Sequence, residues 1–474
     1  MYASNWNDLS TLGVAALKGM DRSRQARGQL LERAGYGPRE TAFTILHAEP
    51  GLKLRSYGGA PGGRPVLLVP APIKRAYIWD LAPGISVVQR WLERGYRVYL
   101  AEWVPLDDAP AGQADAADVG PDLGGNNGNS VSAGTGHDTG PGADPGTGSD
   151  TRFETTVAGF GLAGYGDRLL ARCRDAIRQD SGKDQVVIAG HSLGGILAAI
   201  HACLYPEAVA ATVLLEAPLG FDPATDPFAP LIKATPDARR IADAFGQVPG
   251  SFLNMMSAAA EPQAFGWERL LDRTMSMTSP QALRSHMQVE RWTHDEFPLP
   301  GPLFVDLVES LYRQDAFTRG ALAIGARTIG PRDLRTPLVS VFDPRSKVIP
   351  PQSVQPFHAA ASSPDKLLLD YSGDIGVNLQ HVGVLVGRNA HARIWPAIFD
   401  WLDAQLGDTV PAQEPAQAQA PAPQLAHGSA HDSAEDSAHD SAAHEAATQG
   451  SAHDSAAHDS AAQAGTPQDA TRPD

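Results

Sequence analysis

From about residue 41 to residue 406 the chain alternates short apolar, β-branched runs with stretches whose apolar residues recur every three or four positions. Two segments, 107–150 and 407–474, carry neither period. Continuous or alternating apolar runs mark strands, and a period near 3.6 marks helices. The runs predict strands at 41–46, 52–57, 66–69, 98–102, 186–189, 212–216, 338–342 and 366–371, and helices at 86–94, 165–179, 196–204 and 395–405. Strands that are apolar throughout are covered on both faces, so the rhythm predicts an α/β fold with a mostly parallel sheet and helices on both sides. Between about 221 and 335 the rhythm gives way to helix-like segments rich in Met, Trp and Phe, read as a helical cap over the carboxyl ends of the strands. A packed helical extension with no gating role is the alternative. Residues 1–40 form a separate N-terminal helical segment.

Charge changes this picture in one respect. The 474 residues carry a formal net charge of −16, yet 107–150 holds eight Asp and no Lys or Arg, and 408–474 holds eleven acidic residues against Arg472. These segments account for −8 and −10, and the remainder stands at +2. The acidity belongs to stretches that cannot bury enough apolar surface to fold, so 107–150 is expected to be a disordered insertion and 407–474 a disordered low-complexity tail. A near-neutral remainder does not repel an anionic substrate, and without a basic stripe nucleic acid is not expected. The tail's His-Asp-Ser-Ala units, at His431, His439, His453 and His458, are too loosely spaced to read as a metal site, so neither metal nor cofactor is expected. Cys173 and Cys203 are too few for a disulfide scaffold, and no apolar run reaches a signal peptide or membrane span. A cytoplasmic protein is the expectation.

The candidate chemistry lies in Val186-Val187-Ile188-Ala189-Gly190-His191-Ser192-Leu193-Gly194-Gly195, which sets Ser192 between an apolar strand and an Ala-rich helix. That is the setting of a nucleophile elbow, the sharp turn that lifts a serine hydroxyl clear of the sheet in the α/β-hydrolase fold. A serine hydroxyl needs an imidazole base and an orienting carboxylate, which follow it in the order acid then histidine in this fold. Asp343 directly follows the 338–342 strand, and His381 lies in the loop after 366–371. Ser192, Asp343 and His381 are therefore the expected triad, with Asp222 as the reserve acid and Asp374 expected to shape the His381 loop. His191 is expected to line the site or pack, and His201 to be a core or partly exposed residue. The oxyanion of acyl transfer needs two backbone N–H donors. Leu193 supplies one. Pro70 and Pro72 cannot supply the other, which leaves Ala71, Ile73 or Lys74, of which Ile73 is preferred.

Several blocks point further. Pro70-Ala71-Pro72-Ile73-Lys74-Arg75-Ala76-Tyr77-Ile78-Trp79-Asp80-Leu81 resembles the segment of polyhydroxyalkanoate synthases in which a proline pair leads into Asn-Lys and Tyr-Ile-Leu-Asp-Leu. Gly95 to Trp103, Trp292-Thr293-His294-Asp295 with Leu299-Pro300-Gly301, Phe342-Asp343 with Val348-Ile349-Pro350, and His381-Val382-Gly383 are similar to further blocks of that family. The resemblance runs from about 41 to 406. It implies transfer of hydroxyacyl groups from coenzyme A to a growing polyester held as an acyl-enzyme. Two positions depart from it: the family's nucleophile is cysteine where this chain has Ser192, and the family's Asn falls at Lys74.

A synthase-like acyltransferase acting on hydroxyacyl-coenzyme A is the leading reading. A serine esterase or polyester depolymerase of the same fold, with water as acceptor, is the second. A non-catalytic granule-associated partner of a synthase is the third. The expected partners are a hydroxyacyl-coenzyme A or polyester substrate, a polyester granule or synthase-like protein, and a second copy in a homodimer.

Overall fold

The computed structural model describes residues 3–106, 159–235, 237–263, 267, 269–374 and 381–407. The expected insertion at 107–150 lies outside them, as does the expected tail beyond Gly407.

Eight strands form one sheet: β1 (Thr44–Glu49), β2 (Leu52–Ser56), β3 (Pro65–Val69), β4 (Arg97–Trp103), β5 (Val186–His191), β6 (Val209–Leu215), β7 (Leu338–Phe342) and β8 (Lys366–Asp370). Their order is β1-β2-β4-β3-β5-β6-β7-β8. β2 pairs antiparallel with β1 and β4, and the pairs from β4 to β8 are parallel. The order reverses between β3, β4 and β5, and sheets of this kind place ligands beyond the carboxyl ends near such a switch. This is the α/β-hydrolase fold.

The strands are apolar throughout because each face meets its own core. Along β3, Leu67 and Val69 join the cluster that includes α3 (Leu170–Ser181) and α4 (Leu193–Leu204), while Val66 and Leu68 join the opposite cluster with Trp91 and Trp395. The second cluster packs α2 (Val87–Glu93) and α6 (Trp395–Leu406) against the sheet, with Trp91 meeting Phe399 edge-on at 4.9 Å. Side chains alternate between faces along a strand, so a run buried on both sides has no polar position to spare.

Between β6 and β7 the chain leaves the sheet for a set of helices that includes Ala238–Phe245, Gly250–Ala260, Arg269–Ser276, α5 (Pro280–Thr293) and Gly301–Asp306. The N-terminal helix, α1 (Ala3–Leu31), lies across them. Asp21 accepts the Ser251 N–H at 2.7 Å, Arg24 donates to the Thr293 carbonyl at 2.7 Å, and Glu32 pairs with Arg291 at 2.7 Å. Gly28 sits at the closest approach, where a Cβ would lie 2.9 Å from the Arg291 guanidinium. Among the described residues no helix is long and apolar enough to cross a membrane.

Candidate active site

Ser192 follows β5 with φ 55° and ψ −128°, a backbone that non-glycine residues rarely adopt and that marks the tight strand-to-helix turn of an elbow. Crowding explains the glycines around it. A Cβ at Gly194 would lie 2.1 Å from the Val69 carbonyl oxygen, and one at Gly190 would lie 2.5 Å from the Gly194 carbonyl oxygen. The turn is tied to the neighbouring strand by the Ser192 N–H, which donates to the Leu215 carbonyl at 3.0 Å.

The structure brings Ser192 and His381 together: Oγ and Nε2 lie 2.9 Å apart. His381 also has a positive φ, 50°. Burial, and secondarily the neighbouring His191, hold its imidazole well below the ordinary histidine range, so the ring is neutral at neutral pH and can accept the serine proton at Nε2. Its Nδ1 is buried and has no hydrogen-bond partner among the described residues.

Asp343 stands at the end of β7, where Oδ1 accepts the Arg345 N–H at 2.8 Å and faces the Arg345 guanidinium at 3.4 Å. It makes no hydrogen bond to His381 among the described residues. Asp222 is exposed and closes its own turn by accepting the Ala224 N–H at 3.0 Å. Asp374 accepts from the Tyr371 hydroxyl at 2.8 Å and from the Asn389 N–H at 2.9 Å, which ties the strand end to the segment after the His381 loop.

The chain from Pro70 to Arg75 is pinned from both sides by indoles. Trp103 donates to the Pro70 carbonyl at 2.7 Å and Trp292 donates to the Arg75 carbonyl at 2.8 Å. The Lys74 N–H is directed to the Ala71 carbonyl at 3.4 Å. Ile73 borders a cavity of about 260 Å³ that also contacts Ser192, Leu193 and His381 and is walled largely by apolar side chains such as Phe252 and Tyr312.

Lys74 and Glu296 bring charge to the same wall. The Lys74 ammonium donates to a Glu296 carboxylate oxygen and, at 2.9 Å, to the Thr293 carbonyl, while Arg24 of α1 meets Glu296 at 3.2 Å. Burial pulls Lys74 down to about 8 against the opposing pull of Glu296. From sequence Lys74 stood as a departure from the family pattern and as one of three candidate oxyanion donors, while Glu296, 222 residues away, was missed. Three further histidines make contacts away from Ser192: His201 is buried with Nδ1 at 3.2 Å from the Gly166 carbonyl, His358 meets Ser340 at 2.8 Å, and His294 pairs with Glu290 at 3.4 Å. No cluster of three His, Cys, Asp or Glu suited to a metal occurs among the described residues.

The α/β hydrolase fold family model matches residues 119–294. The chain is 25% identical over 392 residues to the poly(3-hydroxyalkanoate) polymerase subunit PhaC of Haloferax mediterranei, covering 81% of this chain and 68% of that protein. It is 23% identical over 374 residues to the same subunit of Allochromatium vinosum, covering 78% and 89%. The chain is an enzyme of the α/β-hydrolase fold, similar over most of its length to polyhydroxyalkanoate polymerase subunits. Among solved structures, a monoacylglycerol lipase from Paleococcus ferrophilus aligns over 75% of this chain and 99% of its own length at 14% identity, with a TM-score of 0.39.

Proposed function

We propose that this synthase-like protein is an acyltransferase that takes hydroxyacyl groups from coenzyme A thioesters through an acyl-enzyme on Ser192. The observation that carries the reading is the 2.9 Å contact between Ser192 Oγ and a neutral His381 beside an apolar cavity. In the reaction Oγ attacks the thioester carbonyl carbon while His381 Nε2 takes its proton. The oxyanion is met by the N–H groups of Leu193 and Ile73, and collapse expels the thiolate, which recovers the proton from His381. The hydroxyl of a second unit or of a chain end then attacks the Ser192 ester, with His381 again as base and then acid. Asp343 is the sequence-assigned orienting acid. Serine, histidine and the substrate's own groups close this cycle, so no bound cofactor is required, and a polyester product makes a granule surface the natural partner.

One observation favours a second reading. A cysteine thiolate exchanges readily with thioesters, whereas a serine oxygen depends fully on its base and forms an ester that water can cleave. With water as acceptor the same three residues make an esterase or polyester depolymerase. Incubation with 3-hydroxybutyryl-coenzyme A separates the two. Thiol release with formation of polymer, absent in Ser192→Ala, supports the transferase. Inertness toward the thioester with cleavage of p-nitrophenyl butyrate assigns the hydrolase.

A further inference from the structure

Glu216 follows β6 directly and has no role in the triad expected from sequence, where it reads as the last residue of a strand. Its place in the sheet is specific. The strands run β5, β6, β7 side by side, so their carboxyl ends present Ser192, Glu216 and Asp343 in that order. Neighbouring strands lie about 4.8 Å apart. Glu216 is therefore one strand from the elbow, whereas Asp343 is two, and its side chain is a methylene longer. Two backbone hydrogen bonds fix this register: the Ser192 N–H donates to the Leu215 carbonyl at 3.0 Å, and the Glu216 N–H donates to the Val341 carbonyl at 2.8 Å.

The residue is held there at a cost. Its φ is +44°, in the left-handed region, and four non-glycine residues among those described share that sign: Ser192, Glu216, Asp315 and His381. Such strained backbone is kept only where the surrounding structure enforces it, and it clusters at functional sites. Glu216 is also 2% exposed, and a carboxyl group buried without a cation is costly to keep. Its charged and polar neighbours are Asp343 and Tyr371, with Asp374 beyond the Tyr371 hydroxyl, and among the described residues no positive charge compensates it. Burial first, and the like charge of Asp343 second, push it well above the ordinary carboxyl range. Meanwhile His381 Nδ1 is buried without a partner among the described residues, and Asp343 Oδ1 is engaged by Arg345.

We propose that Glu216 is a second positioning acid for His381, forming with Asp343 a carboxyl pair that shares one proton. The proton stays on Glu216 at rest and passes to Asp343 when His381 takes the Ser192 proton. The Glu216 carboxylate then accepts the Nδ1–H of the imidazolium. The pair thus keeps one negative charge throughout, and no proton leaves it.

The inference rests on Ser192 and His381 as nucleophile and base, and its test separates the two claims. Glu216→Gln, Asp343→Asn, the double variant and Ser192→Ala are compared for p-nitrophenyl butyrate turnover, for fluorophosphonate labelling of Ser192 by intact mass, and for the His381 titration followed by NMR. Melting curves screen for folding, and Glu216→Asp replaces Glu216→Gln if the latter does not fold. The expected results for Glu216→Gln are a roughly tenfold lower kcat at nearly unchanged KM and a His381 pKa lowered by about one unit. Asp343→Asn retains part of the activity, and the double variant falls to the Ser192→Ala level. Wild-type kcat, pH profile and His381 titration in Glu216→Gln overturn the proposal. A wild-type protein that neither labels at Ser192 nor turns over ester defeats the serine reading instead, and the His381 titration still decides the role of Glu216.

Discussion

The imidazole of His191 donates from Nε2 to the backbone carbonyl of His381 at 2.8 Å, so the residue before the nucleophile holds the main chain of the base. Burial pushes His191 down to about 4, against the opposing pull of that carbonyl. The ring is neutral at neutral pH, and Nε2 must carry its hydrogen to make this bond. The rings of His191 and His381 lie 5.4 Å apart, and Trp79 closes the other side of His191 edge-on at 6.5 Å. His191→Phe keeps the volume and removes the donor. The expected outcome in ester-turnover kinetics is a kcat about tenfold lower at similar KM, with a stability loss of about 1–3 kcal/mol for the unpaired carbonyl. An unchanged kcat would show that the His381 backbone needs no such anchor.

How much of this was legible in the sequence depended on whether the signal was local. β7 matched its expected limits because Pro337 and Asp343 bracket an unbroken apolar run. β6 begins three residues before its expected start because Val209-Ala210-Ala211 carries little β-branched signal. β1 is displaced toward the hairpin that Gly51 closes with φ 84°, a backbone constraint the apolar pattern does not encode. The meeting of Ser192 and His381 was foreshadowed by the elbow motif and the strand-end position. The Lys74–Glu296 pair, the hold of α1 on the cap helices and the Trp103–Pro70 bond join residues far apart in sequence, and no periodicity reports such contacts.

Trp103 secures the loop on which Ile73 sits through its 2.7 Å bond to the Pro70 carbonyl. Trp103→Phe preserves the ring packing against Tyr165 but removes the donor. On the proposed role of the Ile73 N–H as second oxyanion donor, loosening it weakens oxyanion stabilisation more than substrate binding. Steady-state kinetics should show a lower kcat with KM nearly constant; a change confined to KM would place the loop in binding alone.

The Lys74–Glu296 pair is buried on both sides. Removing Glu296 strands the buried Lys74 ammonium, whereas Arg24 still meets Glu296 when Lys74 is removed, so Glu296→Leu is expected to lower stability by about 3–5 kcal/mol in denaturant titrations. The paired replacement Lys74→Met with Glu296→Leu should recover most of that loss. If the single variant is as stable as the wild type, the pair is not holding the cap helices to the 70–75 loop.

Four buried imidazoles set the acid limit of the fold. Burial pushes His191, His201, His358 and His391 down to about 4, 3, 4 and 4. Their folded values lie below the unfolded value near 6.5, so the unfolded chain takes up protons first as pH falls. The stability they permit is complete above pH 6.5 and is lost progressively toward pH 4, at about 2 kcal/mol per imidazole by pH 5. Melting temperatures between pH 7.5 and 5 should therefore fall steeply, and His201→Leu should flatten the slope. A melting temperature independent of pH over that range would contradict the assignment.

The central claim is that Ser192 carries the acyl group. The most direct measurement is intact-mass and peptide mapping of protein quenched after brief exposure to 3-hydroxybutyryl-coenzyme A, beside Ser192→Ala and His381→Gln. The account predicts a hydroxybutyryl ester on the Ser192 peptide, formed together with free thiol, absent from Ser192→Ala and formed far more slowly in His381→Gln. Thiol release that persists in Ser192→Ala, or an adduct on any other residue, would contradict it.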